Sequence, residues 1–303
     1  MNAPAALFAR AERRQRLGSI VHILMQKPQW VNKKISLSSC RQTKAILRSF
    51  NAHSVCEEAL CPNITECFKA GVATFLILGN TCTRRCMFCA VSKGIPQKVD
   101  HSEVFEIKNA VKKLGLRYVV VTSPTRDDLA DGGSKIFCEV VKEIKSHDKA
   151  IKVEILIPDF LGSRNSIEKA AHCGADVVSH NIETVPSLYT KVRIGADYRR
   201  SLYVLNLVKE LDNDIFTKSG LMLGLGEKEE EVIEVFRDLR EAQCDFLTLG
   251  QYLAPTTGHY PVKEYVSSQK FFHLANQAYG LGFRKVKSST YTRSSYLAHT
   301  FFT

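Results

Sequence analysis

The sequence predicts an α/β protein in which six strand–helix units build a parallel sheet curved into a barrel or an open arc. Three observations carry that reading. Short apolar runs recur between residues 74 and 249, amphipathic helical spacings lie between them, and the polar or glycine-containing motifs fall just after the runs. The runs are Thr74 to Gly79, Tyr118 to Thr122, Ile151 to Ile157, Asp176 to His180, Ser219 to Leu223 and Phe246 to Leu249. Helical spacing is explicit in Val104, Ile107, Val111 and Leu114, in Phe137, Val140, Val141 and Ile144, and in Val204, Leu207, Val208 and Leu211.

The flanks read differently. Arg13 to Met25 is a basic amphipathic stretch, read as a surface helix, and Glu12 with few serines argues against a transit peptide. Ser38 to Phe50 reads as a helix with Thr43, Lys44 and Arg48 outward and Ile46, Leu47 and Phe50 inward. After Tyr252 the alternation stops: Pro255 to Gly258 is a loop, Phe271 to Tyr279 a helix closed by Gly280, and Phe283 to Val286 a short strand. The division expected is residues 1–72 as an N-terminal extension, 73–252 as the barrel and 253–303 as a C-terminal cap.

With 303 residues, 45% of them hydrophobic, the chain is long enough for one main core with appendages. No run of 18 uncharged apolar residues occurs, so the expectation is a soluble cytoplasmic protein with no membrane role. A net charge of +11 favours an acidic partner. The positive residues are scattered in pairs such as Arg84-Arg85 and Arg199-Arg200, with no basic tract interleaved with aromatics, which points to an acidic protein more than to nucleic acid.

Six of the ten cysteines lie between residues 56 and 89, as Cys56-x4-Cys61-x5-Cys67 and Cys82-x3-Cys86-x2-Cys89. Three thiolates on a short loop can each hold one iron of a 4Fe-4S cluster, and three rather than four leave one iron open for chemistry. A structural zinc site closes four ligands in paired spacings, and Cys86-x2-Cys89 has no second Cys-x2-Cys to pair with. Disulfides need an oxidising compartment, which the N-terminus does not announce. Cys40, Cys138, Cys173 and Cys244 lie outside the triplets, where burial is the default.

Parallel barrels gather their catalytic residues at the carboxyl ends of the strands. The Cys82 triplet, Ser123 to Asp128, Pro158-Asp159, Asn181 with Glu183, Gly224 to Glu227 and Gln251-Tyr252 each follow one predicted strand, so all six motifs should face one opening. Asp127 and Asp128 serve that opening or cap the helix starting near Ser134. His180, at a strand end, reads as a hydrogen-bonded structural histidine.

Cys82-x3-Cys86-x2-Cys89, with Phe88 before the last cysteine, resembles the signature of radical S-adenosylmethionine (SAM) enzymes. The fuller pattern resembles the lipoyl synthases: the run from Cys56 to Cys67, Ala73 to Cys86, Asp127-Asp128-Leu129, Ile157 to Phe160, His180 to Val185, Thr217 to Glu227, Gly250 to Leu253 and Arg293-Ser294-Ser295-Tyr296. It extends from about Trp30 to Tyr296. This resemblance implies an incomplete (β/α)6 TIM-like barrel, two 4Fe-4S clusters, and SAM bound at the open iron of the Cys82, Cys86, Cys89 cluster.

The same resemblance implies sulfur insertion at carbons 6 and 8 of an octanoyl chain on a lipoyl carrier protein, a lipoyl domain of a 2-oxoacid dehydrogenase or the glycine cleavage H protein, with an electron donor. The Cys56, Cys61, Cys67 cluster would be the sulfur source, completed by Ser295 with Ser294 as the fallback. Bound SAM asks for polar partners at its ribose and amino acid and for close backbone approach at its adenosine. Asn181, Glu183 and Arg193 suit the first need, and the glycines around Gly224, ahead of Glu227, suit the second. Enzymes that thiolate tRNA share the two-cluster logic, but as their resemblance implies they add a long N-terminal cluster domain and an RNA-binding barrel; this chain has about 55 residues before Cys56. A non-catalytic electron carrier has no use for the barrel.

Overall fold

A computed structural model describes residues 27–33, 40–59, 61–69 and 72–302, the backbone alone at Lys69. The Arg13 to Met25 stretch and the first two residues of the helix expected from Ser38 lie outside the described residues.

Ten strands are described: β1 (His53–Ser54), β2 (Thr74–Leu76), β3 (Thr81–Cys82), β4 (Ser92–Lys93), β5 (Tyr118–Thr122), β6 (Lys152–Leu156), β7 (Val177–Ser179), β8 (Phe216–Leu223), β9 (Phe246–Gln251) and β10 (Lys285–Ser289). Eight form one sheet in the order β1-β2-β5-β6-β7-β8-β9-β10. Every pairing from β2 to β10 is parallel, and β1 runs antiparallel to β2. Among the described residues β1 and β10 do not pair with each other, so the arc is open. The six expected strands are present, and Lys285–Ser289, slightly beyond the expected Phe283 to Val286, joins as a seventh parallel one. β8 starts three residues before the expected Ser219, because Thr217 and Lys218 are polar yet fully buried and break the apolar pattern.

Alternation along the strands sorts two faces. Val119, Val121, Val153, Ile155 and Val178 join one continuous core with Ile107, Val140 and Ile144 of the outer helices Ser102–Leu114 and Ser134–His147. That same core takes in Leu47, Cys56 and Phe68, so the N-terminal extension packs as part of the barrel. Leu221, Leu223, Leu247 and Leu249 do the equivalent with the helices Glu229–Glu241 and Ser268–Gly280. Each such buried side chain contributes about 1.5 to 3 kcal/mol relative to exposure.

The other face lines the inside, and it is filled by the chain's own C-terminal segment. After β10 the chain turns and passes through the arc as a strap. Ala298 packs on Tyr118 and Val120, and Phe301 on Val177 and Phe246, with its ring 5.0 Å from that of Phe246. Tyr118, Val177 and Phe246 begin their strands, so the strap closes the amino end of the barrel and leaves the carboxyl end to the site. Gly250 has no side chain because a Cβ there would overlap the Thr292 carbonyl.

The expected helix over Ser38 to Phe50 is seen as Arg41–Ser49. Leu47 points inward as expected, but Thr43, expected outward, is buried with its hydroxyl 3.4 Å from the Phe68 carbonyl oxygen. Helical spacing alone cannot see a neighbour that covers the polar side. Cys173 and Cys244 are buried as expected, whereas Cys138 is half-buried and its thiol donates to the Lys169 carbonyl at 3.2 Å.

Lys287 holds the strap by donating to the carbonyls of Tyr296 and Leu297, with its ammonium 4.5 Å from the centre of the Phe301 ring. Burial, aided by the nearby Lys218 charge, pulls its pKa down to about 8. Between that value and the ordinary lysine value near 10.4 the unfolded chain binds more protons than the native one, so this group makes stability rise with pH across that window. The midpoint of thermal unfolding, followed anaerobically from pH 7.5 to 9.5, should therefore climb more in the wild type than in Lys287→Met.

Candidate active site

The carboxyl ends of β2, β5, β6 and β7 open into one cavity. Leu76, Thr122, Ser123, Leu156, Pro158, His180, Asn181 and Glu183 line it, together with Cys82, Cys86, Phe88, Cys89 and Arg193. The β3–β4 ribbon carries the cysteine loop, tied by Gly94 N–H to the Cys82 carbonyl at 3.1 Å. Met87 N–H donates to Val192, Tyr260 N–H donates to Met87, and His259 lies 3.2 Å from the Cys89 carbonyl, so the loop is pinned from both sides.

Three thiols are thus pressed together in a poorly solvated place. Burial drives the Cys86 thiol up to about 11 against the pull of Arg193, and Cys89, Glu183 and Cys82 add to the rise. Burial likewise raises Cys89, with Cys82 and Glu183 opposing its ionisation further. Such a set is unfavourable as bare thiolates and favourable once cations neutralise it.

The polar partners are held in fixed poses. Glu183 adopts a left-handed φ of 66°, kept there by its N–H to the Gly220 carbonyl at 2.9 Å and by Met222 N–H to its own carbonyl at 3.0 Å. Strain of this kind persists where the surroundings over-determine it, commonly at ligand sites. Its carboxylate accepts from Asn181 Nδ2 at 3.1 Å, and burial raises its pKa against the opposing Arg193 charge. Arg193 spends Nη1 on the Tyr189 hydroxyl at 2.8 Å and Ser201 Oγ at 2.9 Å. His180 faces the Ile157 carbonyl through Nδ1 at 2.9 Å, and burial, reinforced by Arg193, brings its pKa down to about 4. It is neutral at pH 7, with Nδ1 protonated and Nε2 turned to Arg193 3.4 Å away. Ser123 Oγ is buried with no protein partner among the described residues, a group awaiting one from inside the cavity.

Gly224 and Glu227 are not among the residues that line this cavity. The Glu227 carboxylate accepts from Gly224 N–H at 2.6 Å and Leu225 N–H at 2.9 Å, and a Cβ on Gly224 would overlap the Glu264 carbonyl. This turn clamps the cap segment, where Gln251 Nε2 also donates to Glu264 at 2.9 Å.

Cys56, Cys61 and Cys67 form a second cluster of thiols. Burial raises Cys56, with Cys61 adding to it, and pushes Cys67 up to about 12, with Cys56 and Cys61 adding. The strap meets this triad directly. Asn63 Nδ2 donates to Tyr291 at 2.6 Å and the Tyr296 hydroxyl to Glu66 at 2.8 Å. Arg293, half-buried, turns its guanidinium back to the Thr292 carbonyl at 2.7 Å. Ser294 Oγ is taken up by Asn181 Oδ1 at 3.1 Å, while the Ser295 hydroxyl makes no hydrogen bond among the described residues. Ser295 therefore sits on a segment anchored to Asn63 and Glu66 of the triad's own stretch, with its oxygen uncommitted. No three His, Cys, Asp or Glu side chains among the described residues are gathered as around a single metal ion; a 4Fe-4S cube distributes its thiolates over separate irons.

Sequence reasoning missed the ionic frame beneath the loop. Arg84 gives Nε to Asp127 at 2.7 Å and Nη1 and Nη2 to Asp159 at 2.9 and 2.6 Å, and Arg200 adds a 2.8 Å bond to Asp159. Asp128 pairs instead with Arg126, and Asp131 caps the helix at Ser134 by accepting from Gly133 and Lys135. The signal was an arginine between two ligand-spaced cysteines and an acid after each of two strands.

A parallel, partly closed barrel with three cysteines at the carboxyl end of its first strand defines a radical SAM protein, and the model of the Radical SAM superfamily matches residues 76–239. Methylornithine synthase has a similar fold, with a TM-score of 0.53 at 15% identity over 90% of this chain and 82% of that one. The hydrogenase maturase HydG gives 0.53 at 14% identity over 88% and 64%. Among curated proteins, the lipoyl synthase of Caldicellulosiruptor saccharolyticus is 52% identical over 274 residues, covering 90% of this chain and 96% of its own. That of Aquifex aeolicus is 50% identical over 264 residues, covering 87% and 96%. The chain belongs to the lipoyl synthase family. Enzymes of this class carry a 4Fe-4S cluster and use SAM. No helix among the described residues is long and apolar enough to cross a membrane.

Burial alone would raise the Asp159 carboxyl, but Arg84, helped by His180 and Arg200, holds it well below the usual carboxylate range. Asp159→Asn leaves the Arg84 guanidinium underpaired in the interior and should cost roughly 3 to 5 kcal/mol in chemical denaturation. Asp127→Asn, at a half-buried carboxylate, should cost clearly less.

Proposed function

We propose that the chain inserts two sulfur atoms at carbons 6 and 8 of an octanoyl group attached to a lipoyl carrier protein, with a second, auxiliary 4Fe-4S cluster as the sulfur donor. The observation that supports this reading is that one segment meets both surroundings: Ser294 donates to Asn181 of the cavity at 3.1 Å, while Tyr291 and Tyr296 on either side of it bond Asn63 at 2.6 Å and Glu66 at 2.8 Å, within the Cys61 to Cys67 stretch.

Cys82, Cys86 and Cys89 hold the SAM-cleaving cluster, Asn181, Glu183 and Arg193 receive the polar ends of SAM, Ser123 offers its unpartnered hydroxyl, and Phe88 supplies apolar wall. Bound there, the cofactor pair supplies a 5′-deoxyadenosyl radical, which an unactivated C–H bond requires because it has no acidic proton for His180 or any carboxylate to take. Cys56, Cys61 and Cys67 hold the auxiliary cluster, and Ser295 closes it. A hydroxyl is a poorer partner for iron than a thiolate, so Ser295 would hold its iron more weakly than the three cysteines hold theirs. The net charge of +11 suits an acidic carrier, either a lipoyl domain of a 2-oxoacid dehydrogenase or the glycine cleavage H protein, and an electron donor completes the cycle in the cytoplasm.

Anaerobically loaded wild type should hold about eight irons, and Cys61→Ala and Cys86→Ala about four each, by iron analysis and Mössbauer spectroscopy. With octanoylated carrier, SAM and reductant alone, each polypeptide should make no more than one lipoyl group. A lone cluster in the wild type, or repeated turnover without a rebuilding partner, would sink the scheme.

A further inference from the structure

Beneath the cavity, inside the barrel, lies an ion pair that no step above uses. Glu154 and Lys218, neighbours across β6, β7 and β8 through Val177 and Ser179, are both fully buried with Nζ 2.5 Å from Oε1. The carboxylate is otherwise satisfied by the Tyr118 hydroxyl at 2.7 Å and Ser179 Oγ at 2.7 Å. Neither charged residue lines the cavity. What distinguishes the pair is where the ammonium turns next. Lys218 Nζ donates to the Ser294 carbonyl at 2.9 Å, and it stands 4.9 Å from the centre of the Phe301 ring.

The Ser294 carbonyl belongs to the peptide bond that leads into Ser295. Above it, Ser294 Oγ is fixed to Asn181 at 3.1 Å. Residue 294 is thus held at two points, backbone and side chain, and the direction in which Ser295 leaves is set by the first. Burying two ions is costly, and apolar residues of similar size often stabilise as well or better. A charged pair is useful here because an ammonium can grip a strap carbonyl that no apolar side chain can grip.

We propose that Lys218, oriented by Glu154, is a positioning residue for Ser295. This rests on the reading of Ser295 as the auxiliary ligand. Its consequence is selective: loss of the pair should loosen Ser295 and leave the SAM-cleaving half intact.

Lys218→Met alone strands a buried carboxylate, so the test is the double variant Lys218→Met/Glu154→Gln, in which glutamine keeps partners for Tyr118 and Ser179. It is compared with wild type and Ser295→Ala, all loaded anaerobically. The double variant should reproduce Ser295→Ala. About one iron per chain is lost from the auxiliary site, and a 3Fe-4S signal appears by electron paramagnetic resonance. Cleavage of SAM to 5′-deoxyadenosine stays at the wild-type rate, and trypsin cuts faster after Arg293 in the double variant. If Ser295→Ala keeps every auxiliary iron, the ligand reading itself fails. If Ser295→Ala loses that iron but the double variant does not, or if the double variant loses both clusters and SAM cleavage together, the positioning role is wrong.

Discussion

A carboxylate and an ammonium 2.5 Å apart in the middle of a parallel barrel are the constraint on which the rest of this structure turns. Barrels of this kind usually fill their interior with branched apolar side chains. Here the inward positions of β6, β7 and β8 include Glu154, Ser179 and Lys218, and the filling is a length of the chain's own backbone with Ala298 and Phe301 on it. A peptide strap brings carbonyl groups that need donors, and lysines meet them: Lys218 at Ser294, Lys287 at Tyr296 and Leu297. The polar lumen and the strap are two halves of one arrangement.

The site inherits its geometry from that arrangement. Because the strap shuts the amino end, the carboxyl end is the mouth, where the Cys82 loop, Asn181 and Glu183 converge. Because the strap begins at β10, on the far edge of the sheet from β1, it passes Asn181 of the cavity before descending and bonds Asn63 and Glu66 on the way. The Arg84 lattice with Asp127 and Asp159 holds the loop rigid below.

Much of this was legible in the residues. The six strands, their outer helices and the motifs at their ends follow from apolar periodicity, and the cysteine spacings announced metal chemistry without help from the fold. What was hidden shares one physical character. Lys218 and Thr217 concealed the start of β8 because polar inward residues look like loop in a periodicity argument. Thr43 was assigned to the surface because its cover, the Phe68 backbone, is 25 residues away. Gly224 and Glu227 read as a ligand-cradling run, yet Gly224 answers crowding by Glu264 and Gln251 and the acid caps its own turn. Pattern registers which way a side chain faces along one element; it has no access to what a distant element places opposite.

The strap also sets an order of events for a nascent chain. Asn63 waits 228 residues for the Tyr291 carbonyl and Glu66 waits 230 for Tyr296. At typical translation speeds of about 5 to 20 residues per second, that interval is roughly 10 to 45 seconds. Throughout it three sulfhydryls are already made while the strap that completes their surroundings is still unsynthesised. Until the strap arrives the triad has only the cover of its own extension and the first strands, and adventitious copper or zinc has a freer approach to it than in the finished chain.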